Sequence, residues 1–113
     1  MDTKNLTIKQ AHELLVSKKM SVLELAEAVL KVAKENKALN AYLEIFDDVR
    51  AQAEVAQKMI DSGKETMLTG IPLAMKDNIL IKGRIASASS KMLENYTATY
   101  DAHVTKKLRD AGA

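Results

Sequence analysis

The sequence predicts an α/β fold: an N-terminal helical hairpin followed by the first strands and helices of a mixed sheet, left incomplete. Three observations predict it. Two Ser/Thr-led capping boxes each open a run of apolar residues at helical spacing. After Gly63 the texture changes to short apolar runs punctuated by Gly70, Pro72 and Gly83, too brief for helices. One more amphipathic run then reaches Ala113, where a β-α-β unit would hand the chain back to its sheet.

The elements follow in order. In "TIKQAHELLVSKK" Thr7 caps and Gln10 stands three residues on, with Ile8, Ala11 and Leu15 sharing a face. "SVLELAEAVLKVAKEN" repeats the device with Ser21 and Glu24, and Val22, Leu25, Ala26, Val29 and Ala33 form the apolar stripe. Two short antiparallel helices are expected. "NAYLEIF", residues 40–46, is aromatic and branched and reads as a short strand. "DDVRAQAEVAQKMIDSGK" returns to helical period through Val49, Ala53, Ala56 and Ile60, with acidic residues at its start and Gly63 at its stop. "TGIPLAM" and "NILIKG" read as strands, with Pro72 at a strand start or edge because it has no amide hydrogen. "ASASSK" is a small-residue loop and "SKMLENY" one or two helical turns. "DAHVTKKLRDAGA" is a last helix, capped by Asp101 and with Val104, Leu108 and Ala111 on one face. The 113 residues make one partial domain: a hairpin over 1–39 and the start of an α/β core over 40–113.

Composition removes several function classes. Aromatic residues are confined to Tyr42, Phe46, Tyr96 and Tyr100, which argues against a protein that stacks nucleic-acid bases. Basic and acidic residues nearly balance, at a net charge of +2, and the densest basic spots sit where helices end or face solvent. Without cysteine there is no disulfide framework and no thiolate metal site. His12 and His103 lie far apart with no ligand spacing around them, so no metal is expected. No apolar stretch approaches a membrane span and "MDTKNLTIKQ" lacks the features of a signal peptide, which makes the cytoplasm the default compartment and no membrane partner expected.

Familiar catalytic motifs fail on inspection. "DSGKET" has Glu65 where a phosphate loop needs Ser or Thr, and Ala88 occupies the serine position of a Ser-x-x-Lys signature ending at Lys91. That leaves "GIPLAMKDNILIKG", an apolar run interrupted by Lys76, Asp77 and Asn78. Two readings fit the residues alone. Lys76 is a surface lysine beside a turn that Asp and Asn side chains favour. Or Ile71, Leu73, Ala74 and Met75 keep it dry, and a desolvated amine, disfavoured in its charged form, can accept a proton near neutral pH and activate a serine.

"GIPLAMKDNI", then Gly83, "SASSKMLENY", "YDAHV" and "LRDAGA", resemble the opening of the amidase signature family. Within it, "SKMLENY" is similar to the A subunits of aspartyl/glutamyl-tRNA amidotransferases, the glutaminase component of a trimeric enzyme. The resemblance covers nearly the whole chain. It implies a Ser-cisSer-Lys triad with Lys76 as the lysine. Asp77 and Asn78 match the motif as supporting residues, their physical role being hydrogen bonding that fixes the strand end and the rotamer of Lys76, and Ser90 and Lys91 match it with structural roles near the active site. It implies glutamine as ammonia donor, and B and C subunits as partners. The misacylated Glu-tRNA or Asp-tRNA is then amidated through the complex. It further implies no cofactor in this chain, with ATP and magnesium used by the partner subunit.

The resemblance also marks what this sequence lacks. Both family serines come from a Gly-Ser-rich segment well downstream, and no such stretch stands in these residues. Ser87, Ser89 and Ser90 are not substitutes for them. Ala86 and Ala88 replace a threonine and a small residue or cysteine of the usual Thr-Thr segment. The expectation is an N-terminal piece of such a glutaminase component, inactive alone because members of a catalytic unit act together. Three alternatives stand beside it: another amide hydrolase of the same family, a non-catalytic helical interaction module, and a truncated or split-gene product kept for docking only.

Overall fold

Thr7 and Ser21 start the first two helices by the device that the sequence predicts. In the computed structural model, which describes residues 3–113, α1 spans Ile8–Val16 and α2 spans Val22–Glu35. The Gln10 amide donates to Thr7 Oγ1 at 3.3 Å and the Thr7 amide to Gln10 Oε1 at 2.9 Å. The Glu24 amide donates to Ser21 Oγ at 3.1 Å, and the Ser21 amide returns to Glu24 Oε2 at 2.7 Å. Each box thus satisfies amides that a helix start leaves without partners. The Ser21 backbone and side-chain bonds hold the Glu24 carboxyl below the usual carboxylate range.

Helix α3, Val49–Asp61, ends as expected. Gly63 takes φ +68°, and the amides of Gly63 and Lys64 close back onto Ile60 and Met59.

The described chain divides into two units, one running to Pro72 and completed by Ala111–Ala113, the other Leu73–Asp110. In the first, the faces predicted from periodicity are the faces that bury. Ala11 and Leu15 come from α1, Val22, Leu25 and Ala26 from α2, and Ala53, Ala56 and Ile60 from α3; Met20 and Ile71 join them from the connections. Ile8, expected on the same face, stays exposed. Leu15, at 1% exposure, is the largest apolar side chain to be fully enclosed.

Helices α2 and α3 pack together. Arg50 Nε meets Glu27 Oε1 at 2.5 Å across them. The side chain of Gln57 reaches from α3 to the first turn of α2 and accepts the Val22 amide at 2.9 Å.

Gly70 closes this unit. Its φ is +78°, and a Cβ there would lie 2.8 Å from Val22 Cγ2, so only glycine fits. Its amide donates to the Gly112 carbonyl at 3.2 Å, and the Thr66 hydroxyl donates to the Ala111 carbonyl. Thr69, almost fully buried, accepts the Thr66 amide at 2.9 Å.

The predicted strands are absent. Residues 40–46, 71–75 and 79–82 form no strand, and among the described residues the α/β expectation gives way to four α-helices. Among the described residues the sole β pairing is an isolated antiparallel bridge between Ile85 and Thr97. The cause is that a strand is a pairwise object. Its apolar pattern specifies a face, but its backbone groups need a neighbouring strand, and among the described residues no strand lies beside these runs. Tyr42, Leu43 and Ile45 are therefore exposed, as is Leu73, and Pro72 borders no strand.

In the second unit α4, His103–Asp110, follows a series of short turns and a 3-10 turn at Lys91–Leu93, where one or two helical turns were expected. Asp101 is not its cap. The carboxylate is engaged elsewhere, accepting the Lys82 amide at 2.8 Å and Arg109 Nη1 at 2.5 Å. Nor is Val104 on the buried face: it is exposed, and Thr105 is buried instead. The Thr105 hydroxyl donates to the Leu80 carbonyl at 2.8 Å, beside the Ala102 amide at 2.9 Å.

Candidate active site

The polar break in "GIPLAMKDNI" is a turn. The Ile79 amide donates to the Lys76 carbonyl at 2.9 Å, and Asp77 and Asn78 are the two central residues, short polar types that such turns favour. Lys76 thus stands at the entry of the turn and is exposed. The apolar residues expected to keep it dry do not do so: Ile71 is buried, but Leu73 and Ala74 are themselves exposed. Asn78 is exposed as well.

Asp77 is the most engaged residue of the four predicted. Its carboxylate accepts the Ser87 amide at 3.2 Å on Oδ1 and the Ser87 hydroxyl on Oδ2. Its carbonyl accepts the Ala88 amide at 3.2 Å. The Ser87 hydroxyl, then the Ser87 amide, hold the Asp77 carboxyl below the ordinary range against the opposing effect of burial, with Ser89 adding a further backbone bond.

Facing Asp77 is a second tight turn, Ser87–Ser90, closed by the Ser90 amide on the Ser87 carbonyl at 2.8 Å. Both its central residues have positive φ, +48° at Ala88 and +58° at Ser89. Turns with two such residues normally use Asn and Gly. Ser90 closes this turn and opens the next, its hydroxyl accepting the Met92 amide at 3.3 Å as cap of the 3-10 turn. Beyond it, Ala86 and Tyr96 join backbone to backbone at 3.0 Å, as do Ala98 and Arg84 at 2.9 Å, which sets the loop's far side.

The structure therefore brings together the Lys76–Ile79 turn and the Ser87–Ser90 turn through Asp77. It does not gather Asn78 into that contact, and it places Ser90 in a capping role one step away. Ser87 is the residue that sequence reasoning missed. Its signal was faint, a serine ten positions after an aspartate, and nothing local distinguishes it from Ser89.

Chemically, the arrangement offers an amine at a turn whose backbone is fixed by an ionised carboxylate. No group of three or more potential metal ligands occurs among the described residues. No helix there is long and apolar enough to cross a membrane.

Comparison with known proteins gives this arrangement its context. The profile of the family described as Amidase matches residues 24–113. The chain is 43% identical over 110 residues to the A subunit of the glutamyl-tRNA(Gln) amidotransferase from Ruminiclostridium cellulolyticum, covering 96% of this chain and 23% of that protein. It is 41% identical over 118 residues to the protein of the same name from Brachyspira hyodysenteriae, covering 100% of this chain and 24% of that one. For Neisseria meningitidis serogroup A the figures are 44% over 108 residues, 94% of this chain and 22% of that protein. The chain thus spans 22–24% of the length of these curated relatives. Since the profile takes in Lys76, Asp77 and the whole Ser87–Ser90 turn, and the similarity runs nearly end to end, the chain belongs to the amidase family.

Proposed function

We propose that this chain contributes the lysine of the triad to the glutamine-hydrolysing component of a tRNA-dependent amidotransferase. The observation that carries the reading is the 41–44% identity to proteins of that name across 94–100% of the chain. In this reading residues 1–39 are a leading hairpin and 40–113 the opening of the amidase core.

Lys76 exchanges a proton with a bridging serine, which takes the proton of the nucleophilic serine as it attacks the carboxamide carbon of glutamine. The C–N bond breaks, ammonia leaves, and an acyl-enzyme remains for water to open to glutamate. Ammonia then passes to the partner subunit, which would draw on ATP and magnesium to activate the carboxylate of misacylated Glu-tRNA or Asp-tRNA. Both serines come from polypeptide other than these residues, so the chain alone releases no ammonia. The same polypeptide supplies the desolvation that Lys76, exposed in this chain, needs in order to act as a base.

The test follows ammonia release from glutamine. It compares the 113-residue chain with a polypeptide in which it is followed by the remaining part of a relative's glutaminase component, assembled with the B and C subunits. The longer polypeptide is expected to be active and the short chain silent. Lys76→Met is expected to lower activity by about a thousand-fold, the scale of removing one member of a catalytic unit. Undiminished activity with methionine at position 76 sinks the reading. Hydrolysis of other amides in preference to glutamine keeps the amidase chemistry and removes the glutaminase assignment.

A further inference from the structure

We propose that Ser87 is a positioning residue for Lys76, acting through Asp77, and that its hydroxyl is the group that matters. What Lys76 does rests on the proposed glutaminase function; how it is held is read from the geometry alone. Ser87 uses both its donors on one carboxylate, the amide on Oδ1 and the hydroxyl on Oδ2. The adjacent Ala88 amide takes the Asp77 carbonyl. Asp77 is bonded through side chain and backbone at once, so the residue directly after Lys76 cannot rotate without breaking the clasp.

The backbone opposite shows that the clasp bears strain. Ala88 and Ser89 hold positive φ in succession, a conformation that costs an L-residue on the order of 1–2 kcal/mol. Neither residue type favours it, and the pair is not the Asn-Gly that would adopt it unaided. Such conformations persist where the surroundings over-determine them, and they gather at functional sites. Here what surrounds them is Asp77. The depressed ionisation of Asp77 agrees, since the clasp uses the carboxylate as an acceptor only.

Roles within the motif separate accordingly. Asp77 and Ser87 position; Asn78, exposed, and Ser90, occupied as a cap, do not hold the lysine. Because the requirement is for a hydroxyl on Cβ, threonine can replace Ser87 and alanine cannot.

The experiment uses the longer polypeptide with its partner subunits and two variants, Ser87→Ala and Ser87→Thr. The alanine variant is expected to lose about 10- to 100-fold in kcat for glutamine hydrolysis, the scale of a misplaced catalytic group, with KM little changed. The threonine variant is expected to recover most of that loss. An alanine variant as fast as the parent overturns the proposal, as does a threonine variant as slow as the alanine one. Hydrogen exchange at the Ile79 amide, which closes the Lys76 turn, is read on the 113-residue chain, with the Leu25 amide of α2 as control for intact folding. Protection at Ile79 is expected to fall about tenfold in Ser87→Ala and to return in Ser87→Thr. Unchanged protection overturns the clasp whatever the activity shows. If the parent releases no ammonia while the exchange pattern appears as described, the glutaminase reading fails and the clasp stands.

Discussion

Ala88 sits at φ +48° with no glycine-like freedom to do so. Its replacement by glycine removes a penalty of on the order of 1–2 kcal/mol in the folded state and adds about 0.4–1 kcal/mol of chain entropy to the unfolded one. Ala88→Gly is therefore expected to stabilise the chain, by about 0.5–1 kcal/mol, read as a higher urea midpoint with an unchanged slope. Stability unchanged or lowered would mean that the turn carries no such strain. At this scale the sequence was legible wherever partners are near neighbours. Thr7 with Gln10 and Ser21 with Glu24 act within four residues and are found as expected, and Asp77 with Asn78 form the turn that one of the two readings of Lys76 contained. Ser87 and Asp101 were not legible, because their partners lie ten and nineteen residues away and only the folded chain brings them together.

Helices are self-contained and strands are not, which decides what could be foreseen at the level of elements. The hydrogen bonds of α2 run within Val22–Glu35, and its start and apolar stripe are written in Ser21, Glu24, Val22, Leu25 and Ala26. "NAYLEIF" and "GIPLAM" carry apolar patterns just as plain, yet neither forms a strand. The last helix failed in detail for a related reason: Asp101 was drawn away from the cap by the Lys82 amide and Arg109, and burial fell to Thr105 through its bond to Leu80. The cap that did form should be measurable. Ser21→Ala removes the acceptor for the Glu24 amide and is expected to cost about 1 kcal/mol in a urea titration, within the usual range for such caps. Glu24 would lose the Ser21 hydroxyl at the same time but keep the amide of residue 21. A change below a few tenths would show that Glu24 alone secures the start of α2.

For the molecule as a whole, one steric constraint is the approach of Gly70 to Val22 within a core that also contains Leu15. A methyl group at position 70 meets Val22 Cγ2 at 2.8 Å and Leu15 Cδ1 at 3.4 Å, and the backbone there has positive φ. Gly70→Ala is expected to destabilise by about 2–4 kcal/mol, combining overpacking with left-handed strain. The measurement is the shift in urea midpoint, and a neutral result would show that α2 can move aside. None of this was visible in the sequence, where Gly70 reads only as punctuation before Pro72. Several large apolar side chains outside that core remain in water, among them Leu43 at 75% and Met92 at 94% exposure. Single exposed residues of this kind are ordinary on protein surfaces and assign no partner by themselves.

The pairing of Gly70 with Gly112, and of Thr66 with Ala111, makes the first unit discontinuous along the chain. During synthesis its three helices emerge early, but the carbonyls that receive Thr66 and Gly70 are made only after the whole of Leu73–Asp110. Until the ribosome has added Gly112, those two donors lack these acceptors, and the Gly70 bend is held by its neighbouring backbone bonds and by packing against Val22 and Leu15. The unit begun first must therefore wait for the other to be translated before it can close.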